Sequence, residues 1–149
     1  MLIAQILTMK GHSVVTVSPE DNVAHLLATL SEHSIGAVVV STDGKAVEGI
    51  VSERDIVRAM AADPDAGRTG GVRPRRVSSI MSTDVSVITP QATVDDVMAL
   101  MTSQRVRHVP VVDDEVLVGI VSIGDIVKAR LNHLEEEKLA LMNYVTHGG

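Results

Sequence analysis

Two short stretches of the sequence carry the same polar pair at the same spacing. Ser52 and Asp55 follow Gly49-Ile50-Val51, and Ser122 and Asp125 follow Gly119-Ile120-Val121. A serine with an acid three residues later marks a helix N-terminus. Its hydroxyl accepts from an early helical N–H, and the carboxylate reaches back toward the serine amide. The chemistry on offer is anion recognition rather than turnover, because the free N–H groups of a helix start attract phosphate. Met once, the pair reads as capping alone. Met twice in matched surroundings, it reads as a signature of the fold.

The pairs must be positioned by the elements around them, and those elements repeat. Val14, Pro19 and Val23 match Val85, Pro90 and Val94 at a shift of 71 positions, while the signature stretches match at a shift of 70. The second copy is therefore one residue shorter in a turn, placed at Thr42-Asp43-Gly44-Lys45 in copy one and Asp113-Asp114-Glu115 in copy two. A long period present only twice implies a duplicated small domain rather than a solenoid.

The 149 residues hold one ordinary domain or two small ones sharing a core. Hydrophobic residues make up 45%, yet Phe and Trp are absent and Tyr occurs once, so the core is built from Val, Ile, Leu, Ala and Met. The seven methionines read as core filler rather than a cofactor box. Without aromatic platforms a base-stacking single-strand binder is disfavoured. A net charge of −6 and a pI near 5.4 argue against a broad nucleic-acid surface. The absence of cysteine excludes disulfides, thiol catalysis and cysteine–zinc sites, and agrees with a reducing cytosol. The stretch Met1-Leu2-Ile3-Ala4-Gln5-Ile6-Leu7 lacks a basic leader and is too short for a signal peptide, and no apolar run approaches a membrane span of about 18 residues, so a cytoplasmic protein is expected.

Leu2, Ile3, Ile6 and Leu7 have helical spacing, which predicts a short leading helix over 2–9 and a loop at Lys10-Gly11-His12-Ser13. Copy one then reads as a strand over 14–17, a turn at Pro19 with Asp21 as N-cap, and an amphipathic helix over 23–32. Strands over 37–41 and 47–52, joined through Asp43-Gly44, and a helix over 55–61 complete it. Copy two repeats the order: strand 85–88, helix 94–101, strands 108–112 and 116–122, and a last helix from Asp125. Between them, Pro64, Gly67, Gly70, Gly71 and Pro74 mark a linker, whose Arg68, Arg73, Arg75 and Arg76 form a solvated or anion-facing basic cluster. The last helix overruns its counterpart. Its Glu135-Glu136-Glu137 run is a solvated face, and Leu131, Leu134, Leu139, Leu141, Met142 and Val145 are expected to meet the module or a second subunit.

The duplicated β-α-β-β-α unit, both Gly-Ile-Val-Ser-x-x-Asp stretches, and the run from Arg105-Val106-Arg107-His108 through Asp113 resemble a tandem pair of cystathionine-β-synthase (CBS) domains. With Lys10-Gly11-His12, Ser52-Glu53-Arg54-Asp55 and Ser122-Ile123-Gly124-Asp125, the chain is similar in particular to small stand-alone bacterial CBS-pair proteins. The resemblance implies an α/β (α+β) fold: two pseudo-symmetric CBS domains forming a Bateman-type module. Domain 1 covers 9–62, a linker 63–78, domain 2 covers 79–133, and a C-terminal helical extension 134–149. It also implies energy sensing through two clefts that bind AMP, ADP, ATP, NAD(H) or S-adenosylmethionine. The signature Asp holds ribose hydroxyls and its Ser lies near phosphate or ribose.

Carried onto this chain, the first cleft uses Ser122, Asp125 and Arg107, facing Lys10, Ser13, Val15, Ile35 and Gly36. The second uses Ser52, Arg54 and Asp55, facing Val85, Ser86, Val87 and Val106. Gly36 stands where Arg107 would be and Met81 where Lys10 would be, so the first cleft is expected to take the more phosphate-rich ligand, with Arg54 or the linker arginines compensating in the second. Arg107 and His108 alternate along a strand and face opposite sides, Arg107 being the phosphate contact. His25 and His33 share a helix face but lack a third metal ligand at any evident spacing.

The leading reading is a non-enzymatic regulatory homodimer that binds an adenine nucleotide, needs no catalytic cofactor and acts on a regulated protein. The alternative is an interaction scaffold in which both pairs are capping boxes only. An enzyme is disfavoured, since the chain has no Gly-rich phosphate loop and no nucleophile–base constellation.

Overall fold

The computed structural model describes residues 1–64 and 71–147; Gly67, Arg68 and Gly70 of the expected linker lie outside the described residues. A leading helix α1 (Ile3–Lys10) precedes copy one, which runs β1 (Thr16–Val17), α2 (Val23–His33), β2 (Ala37–Val40), β3 (Gly49–Ser52) and α3 (Glu53–Ala62). After a short 3-10 turn over Val77–Ser79, copy two runs α4 (Val94–Gln104), β4 (His108–Asp113), β5 (Val116–Ser122) and α5 (Ile123–His147).

The duplication extends to the caps. Asn22 accepts from His25 N at 2.8 Å at the start of α2, and Thr93, its counterpart, accepts from Asp96 N at 3.1 Å at the start of α4. Asn22 thus takes the capping role expected of Asp21, whose carboxylate accepts from Ser18 N instead. Both helices end on a left-handed residue, Ser34 at φ 53° and Arg105 at φ 54°. Each is followed by an amide that bonds back five residues, Ile35 N to Leu30 O and Val106 N to Met101 O, both 3.1 Å. The one-residue difference falls where expected. Copy two closes β4 to β5 through Asp114 and Glu115, both at positive φ, whereas copy one needs the longer loop between β2 and β3.

One expected strand does not form. Copy one has a three-stranded sheet in the order β1-β2-β3, with β1 parallel to β2. In copy two, 85–88 is extended chain held to β4 by a single bridge between Ile88 and Val111. Proline is the reason. Thr16 pairs with Val39, and the position matching Val39 is Pro110, which has no N–H to continue the ladder toward residue 86. The strand expected over 14–17 is itself shortened to β1.

Each copy is completed by the segment that leads into the other. Ile3, Ile6 and Leu7 of α1 are buried with Val97, Val109, Val121 and Ile126 of copy two, and Ile3 N and Ala4 N donate to Ala92 O and Pro90 O. Conversely, Val72 and Val77 are buried with Val23, Leu26, Val51 and Ile56 of copy one, and Val23 N and Ala24 N donate to Arg75 O and Arg73 O. A fully buried aliphatic side chain contributes about 1.5–3 kcal/mol, so neither copy keeps its core without the other's lead-in.

This exchange explains the glycines before both signature strands. A Cβ on Gly49 would sit 2.8 Å from Ser82 O and 2.8 Å from Met81 Sδ, and one on Gly119 would sit 2.5 Å from Leu7 Cδ2. Ser82 and Ile50 exchange backbone hydrogen bonds at 2.9 Å in both directions, so the carbonyl at Gly49 is fixed. Gly49→Ala is therefore expected to lower the unfolding free energy by about 1–3 kcal/mol, the usual cost of overpacking. Urea denaturation measures this; an unchanged midpoint would contradict the close approach.

Candidate functional site

The two Ser–Asp pairs sit at the starts of α3 and α5, each at the end of a strand whose alternate residues are buried. Asp55 Oδ2 accepts from Ser52 N at 2.8 Å and from Ser52 Oγ at 3.1 Å. Asp125 Oδ2 accepts from Ser122 N at 2.8 Å, and Ser122 Oγ accepts from Asp125 N at 3.2 Å. In both, one carboxylate oxygen is fixed toward the backbone while Oδ1 has no hydrogen-bond partner among the described residues. Each pair thus offers a free acceptor that suits hydroxyls, at a helix start whose first amide is already bonded, Glu53 N to Gly36 O at 3.0 Å and Ile123 N to Arg107 O at 2.8 Å, so that an anion would be favoured there chiefly by the helix dipole.

The surroundings of the pairs differ. Lys10, the last residue of α1, bonds Asp125 Oδ2 at 2.6 Å and Ile120 O at 2.8 Å, so this carboxylate carries a cation partner of its own. Its counterpart Met81 is apolar and packs against copy one, and among the described residues Asp55 has no cation paired to it. Beyond Lys10 a cavity of about 410 Å³ opens between α1 and α5, where Asp125, Glu135 and Glu136 face Lys10 and Lys128.

A cavity of about 490 Å³ lies against Asp55, within the size range of small-molecule sites, about 300–1,000 Å³. Copy one contributes Ser52, Arg54, Asp55 and Arg58; copy two contributes Val85, Ser86 and residues 104–108. Of the residues assigned to the second cleft, Ser52, Arg54, Asp55, Val85, Ser86 and Val106 line this cavity, and Val87 is exposed outside it. Of those assigned to the first cleft, Lys10, Ser122 and Asp125 come together. Ser13 is exposed in the loop after α1, and Val15 and Ile35 pack partly on the core of copy one.

Gly36 and Arg107, assigned to the first cleft, line the cavity at Asp55. Gly36 leaves room there for Glu53, whose Oε1 would lie 2.8 Å from a Cβ. His108, the first residue of β4, lines it too, next to Arg107, which precedes the strand. Burial, and secondarily the Lys10 ammonium, hold the His108 pKa below its usual 6.5 despite Asp125 and Glu53, so the ring is neutral at pH 7.

Arg58 and Arg105 were not singled out in the sequence. Arg58 lies one turn beyond Arg54, a spacing that puts both on one face of α3, whereas Arg105 is aimed by its left-handed backbone, which sequence spacing does not reveal. The described linker arginines, Arg73, Arg75 and Arg76, serve copy one instead. Arg76 pairs with Glu20 at 2.8 Å, and the carbonyls of Arg73 and Arg75 cap the start of α2. His25 Nε2 lies 3.7 Å from Asp21, and among the described residues no cluster of three or more potential ligands is placed to hold a metal ion. No helix of the described residues is long and apolar enough to cross a membrane.

Comparison with known proteins agrees with this architecture. The CBS domain family matches twice, over residues 6–62 and 77–132, so the chain belongs to the CBS-domain family as a tandem pair. It is 34% identical to the mitochondrial CBS domain-containing protein CBSX3 of Arabidopsis thaliana over 155 aligned residues, covering 99% of this chain and 72% of that protein. The crystal structure of the CBS-domain protein ATU1752 from Agrobacterium tumefaciens superposes with a TM-score of 0.79 at 41% identity, covering 87% of this chain and 99% of that one. The CBS domain pair of protein MJ0100, in complex with 5′-methylthioadenosine and S-adenosyl-L-methionine, superposes with a TM-score of 0.74 at 25% identity over 87% of this chain and 98% of that one.

The Lys10–Asp125 pair makes stability depend on pH in a defined direction. Burial acts to raise the Asp125 pKa, but hydrogen bonds from Lys10 and the Ser122 amide outweigh it and hold the carboxyl below the usual 3.8. A carboxyl depressed by folding stabilises fully above its unfolded pKa and loses that contribution as pH falls through the folded one. The side chains remain 37% and 24% exposed, so screening limits the gain. Lys10→Met is expected to cost about 1 kcal/mol or less at pH 7, with the difference disappearing below the folded-state pKa of Asp125. Urea unfolding at pH 7 and in acid tests this; a difference that grew with acid would contradict it.

Proposed function

We propose that this CBS pair is a non-enzymatic sensor that binds an adenine nucleotide in the cleft carrying Ser52 and Asp55. The observation that carries the reading is the open cavity at Asp55, where a fixed carboxylate with a free Oδ1 adjoins a helix N-terminus and several arginines. In the proposed pose the ribose hydroxyls donate to Asp55, the phosphates meet the start of α3 and the arginines, and adenine lies among Ile50, Val85 and Val106. The adenosine ligands in the complex of protein MJ0100 support the ligand class. At the other cleft the Asp125 carboxylate is already paired with Lys10, so the sequence-based ranking of the clefts is reversed in this proposal. That pairing also lends the scaffold reading its one supporting observation, at that position only.

Calorimetric titration of AMP, ADP, ATP, NAD⁺, NADH and S-adenosylmethionine into nucleotide-free protein tests the proposal. Asp55→Ala is expected to weaken the tightest ligand at least tenfold, as for loss of charge-assisted hydrogen bonds, while Asp125→Ala leaves it within about threefold. Binding abolished by Asp125→Ala and spared by Asp55→Ala would overturn the assignment. No binding by any of the six would leave the scaffold.

The proposed working form is a homodimer. Val57 and Met60 on α3 and Val127 and Leu131 on α5 are exposed on the helical faces, and Leu134, Leu141 and Val145 continue from Val127 and Leu131 in the register of a coiled-coil seam that Lys138 interrupts. Light scattering is expected to give twice the 15.8 kDa chain mass, with Leu131→Glu and Leu134→Glu together shifting it to monomer. A wild-type monomer at micromolar concentration would contradict this.

A further inference from the structure

The arginines of the Asp55 cavity come from separate elements. Arg54 and Arg58 stand on α3, Arg105 on the cap of α4, and Arg107 just before β4. None of the four forms an ion pair among the described residues, whereas Arg76 and Arg130 outside the cavity pair with Glu20 at 2.8 Å and Asp95 at 3.4 Å. The carboxylates in the same lining are Glu53, Asp55 and Asp84, so the cations exceed the anions, and His108 adds no charge. The cavity beside Asp125 has no arginine in its lining, which holds Asp125, Glu135 and Glu136 with Lys10, Lys128 and Met1.

Unpaired guanidinium groups gathered on one concavity repel one another, and its low-dielectric walls concentrate their field. An anion with several charged oxygens relieves that repulsion, and guanidinium forks match phosphate oxygens two at a time. We propose that the arginine rim of the Asp55 cleft selects adenosine ligands bearing two or three phosphates over the monophosphate and over a cationic sulfonium ligand. This rests on the nucleotide reading above and adds to it the feature by which the cleft distinguishes one adenosine ligand from another. Arg54 lies beside the Ser52–Asp55 pair and serves the first phosphate. Arg58, one turn further along α3, and Arg105 across the cleft serve the second and third.

The test is a comparison of AMP, ADP, ATP and S-adenosylmethionine by calorimetry at fixed ionic strength, in the wild type and in an Arg58→Gln/Arg105→Asn double variant. Asparagine is chosen at 105 because it tolerates the left-handed backbone there. Both arginines are exposed, and circular dichroism with the urea midpoint checks that the variant folds. In the wild type, ADP and ATP are expected to bind at least about tenfold tighter than AMP, with S-adenosylmethionine weakest. The ATP-to-AMP affinity ratio is expected to fall toward one in the double variant and with rising salt. Equal affinities for AMP and ATP in the wild type, a ratio unmoved by the double variant, or S-adenosylmethionine as the tightest ligand would each overturn the selection. Those outcomes leave the nucleotide reading standing if Asp55→Ala still removes binding. Failure of all four to bind overturns both.

Discussion

The structure depends on an exchange: each copy of the repeat borrows its final core residues from the segment leading into the other. Roughly 55-residue units bury too little surface to be comfortably stable alone. Here Ile3, Ile6 and Leu7 complete copy two, and Val72 and Val77 complete copy one. The constraint fixes the two copies relative to each other, and with them the space between the two signature helices. Gly49 and Gly119 are part of the same constraint, because each lies where a borrowed segment crosses a signature strand.

The exchange also makes the clefts unequal. The segment entering copy one ends in Lys10, and the segment entering copy two ends, at the matching position, in Met81. A lysine delivered to the start of α5 neutralises Asp125 and takes the Ile120 carbonyl. A methionine delivered toward copy one packs into apolar surroundings and leaves Asp55 unpaired, beside arginines that are themselves without ion-pair partners among the described residues. A single difference between two otherwise similar lead-ins thus separates a carboxylate paired with a lysine from one without a cation partner among the described residues. Pseudo-symmetry of the backbone does not carry over to the electrostatics.

The sequence made most of the fold legible, because its signals are local. Helical periodicity in 23–32, the Ser–Asp spacing and the Asp-Glu turn each act within a few residues and correspond to α2, α3, α5 and the β4–β5 hairpin. The strand expected over 85–88 failed for a reason also written in the sequence: Pro110 lies on the partner strand, and a strand's own residues do not reveal its partner's missing donor. The composition of the site was harder to read. Counting Lys10 and Arg107 as cations of the Asp125 cleft took charge without geometry; one is spent on Asp125 itself and the other lines the opposite cavity. Arg105 was hidden for a similar reason, since its direction comes from a left-handed backbone rather than from helical or strand spacing.

The central proposal, that a nucleotide enters the cleft at Asp55 while Lys10 keeps its place on Asp125, is tested most directly by counting nucleotides bound per chain at saturation. Equilibrium dialysis with a labelled nucleotide, on protein first stripped of bound ligand, gives that number without assuming an affinity model. The account predicts one nucleotide per chain. Two per chain, filling at similar concentrations, would show that Lys10 yields as readily as an empty cleft and would contradict it.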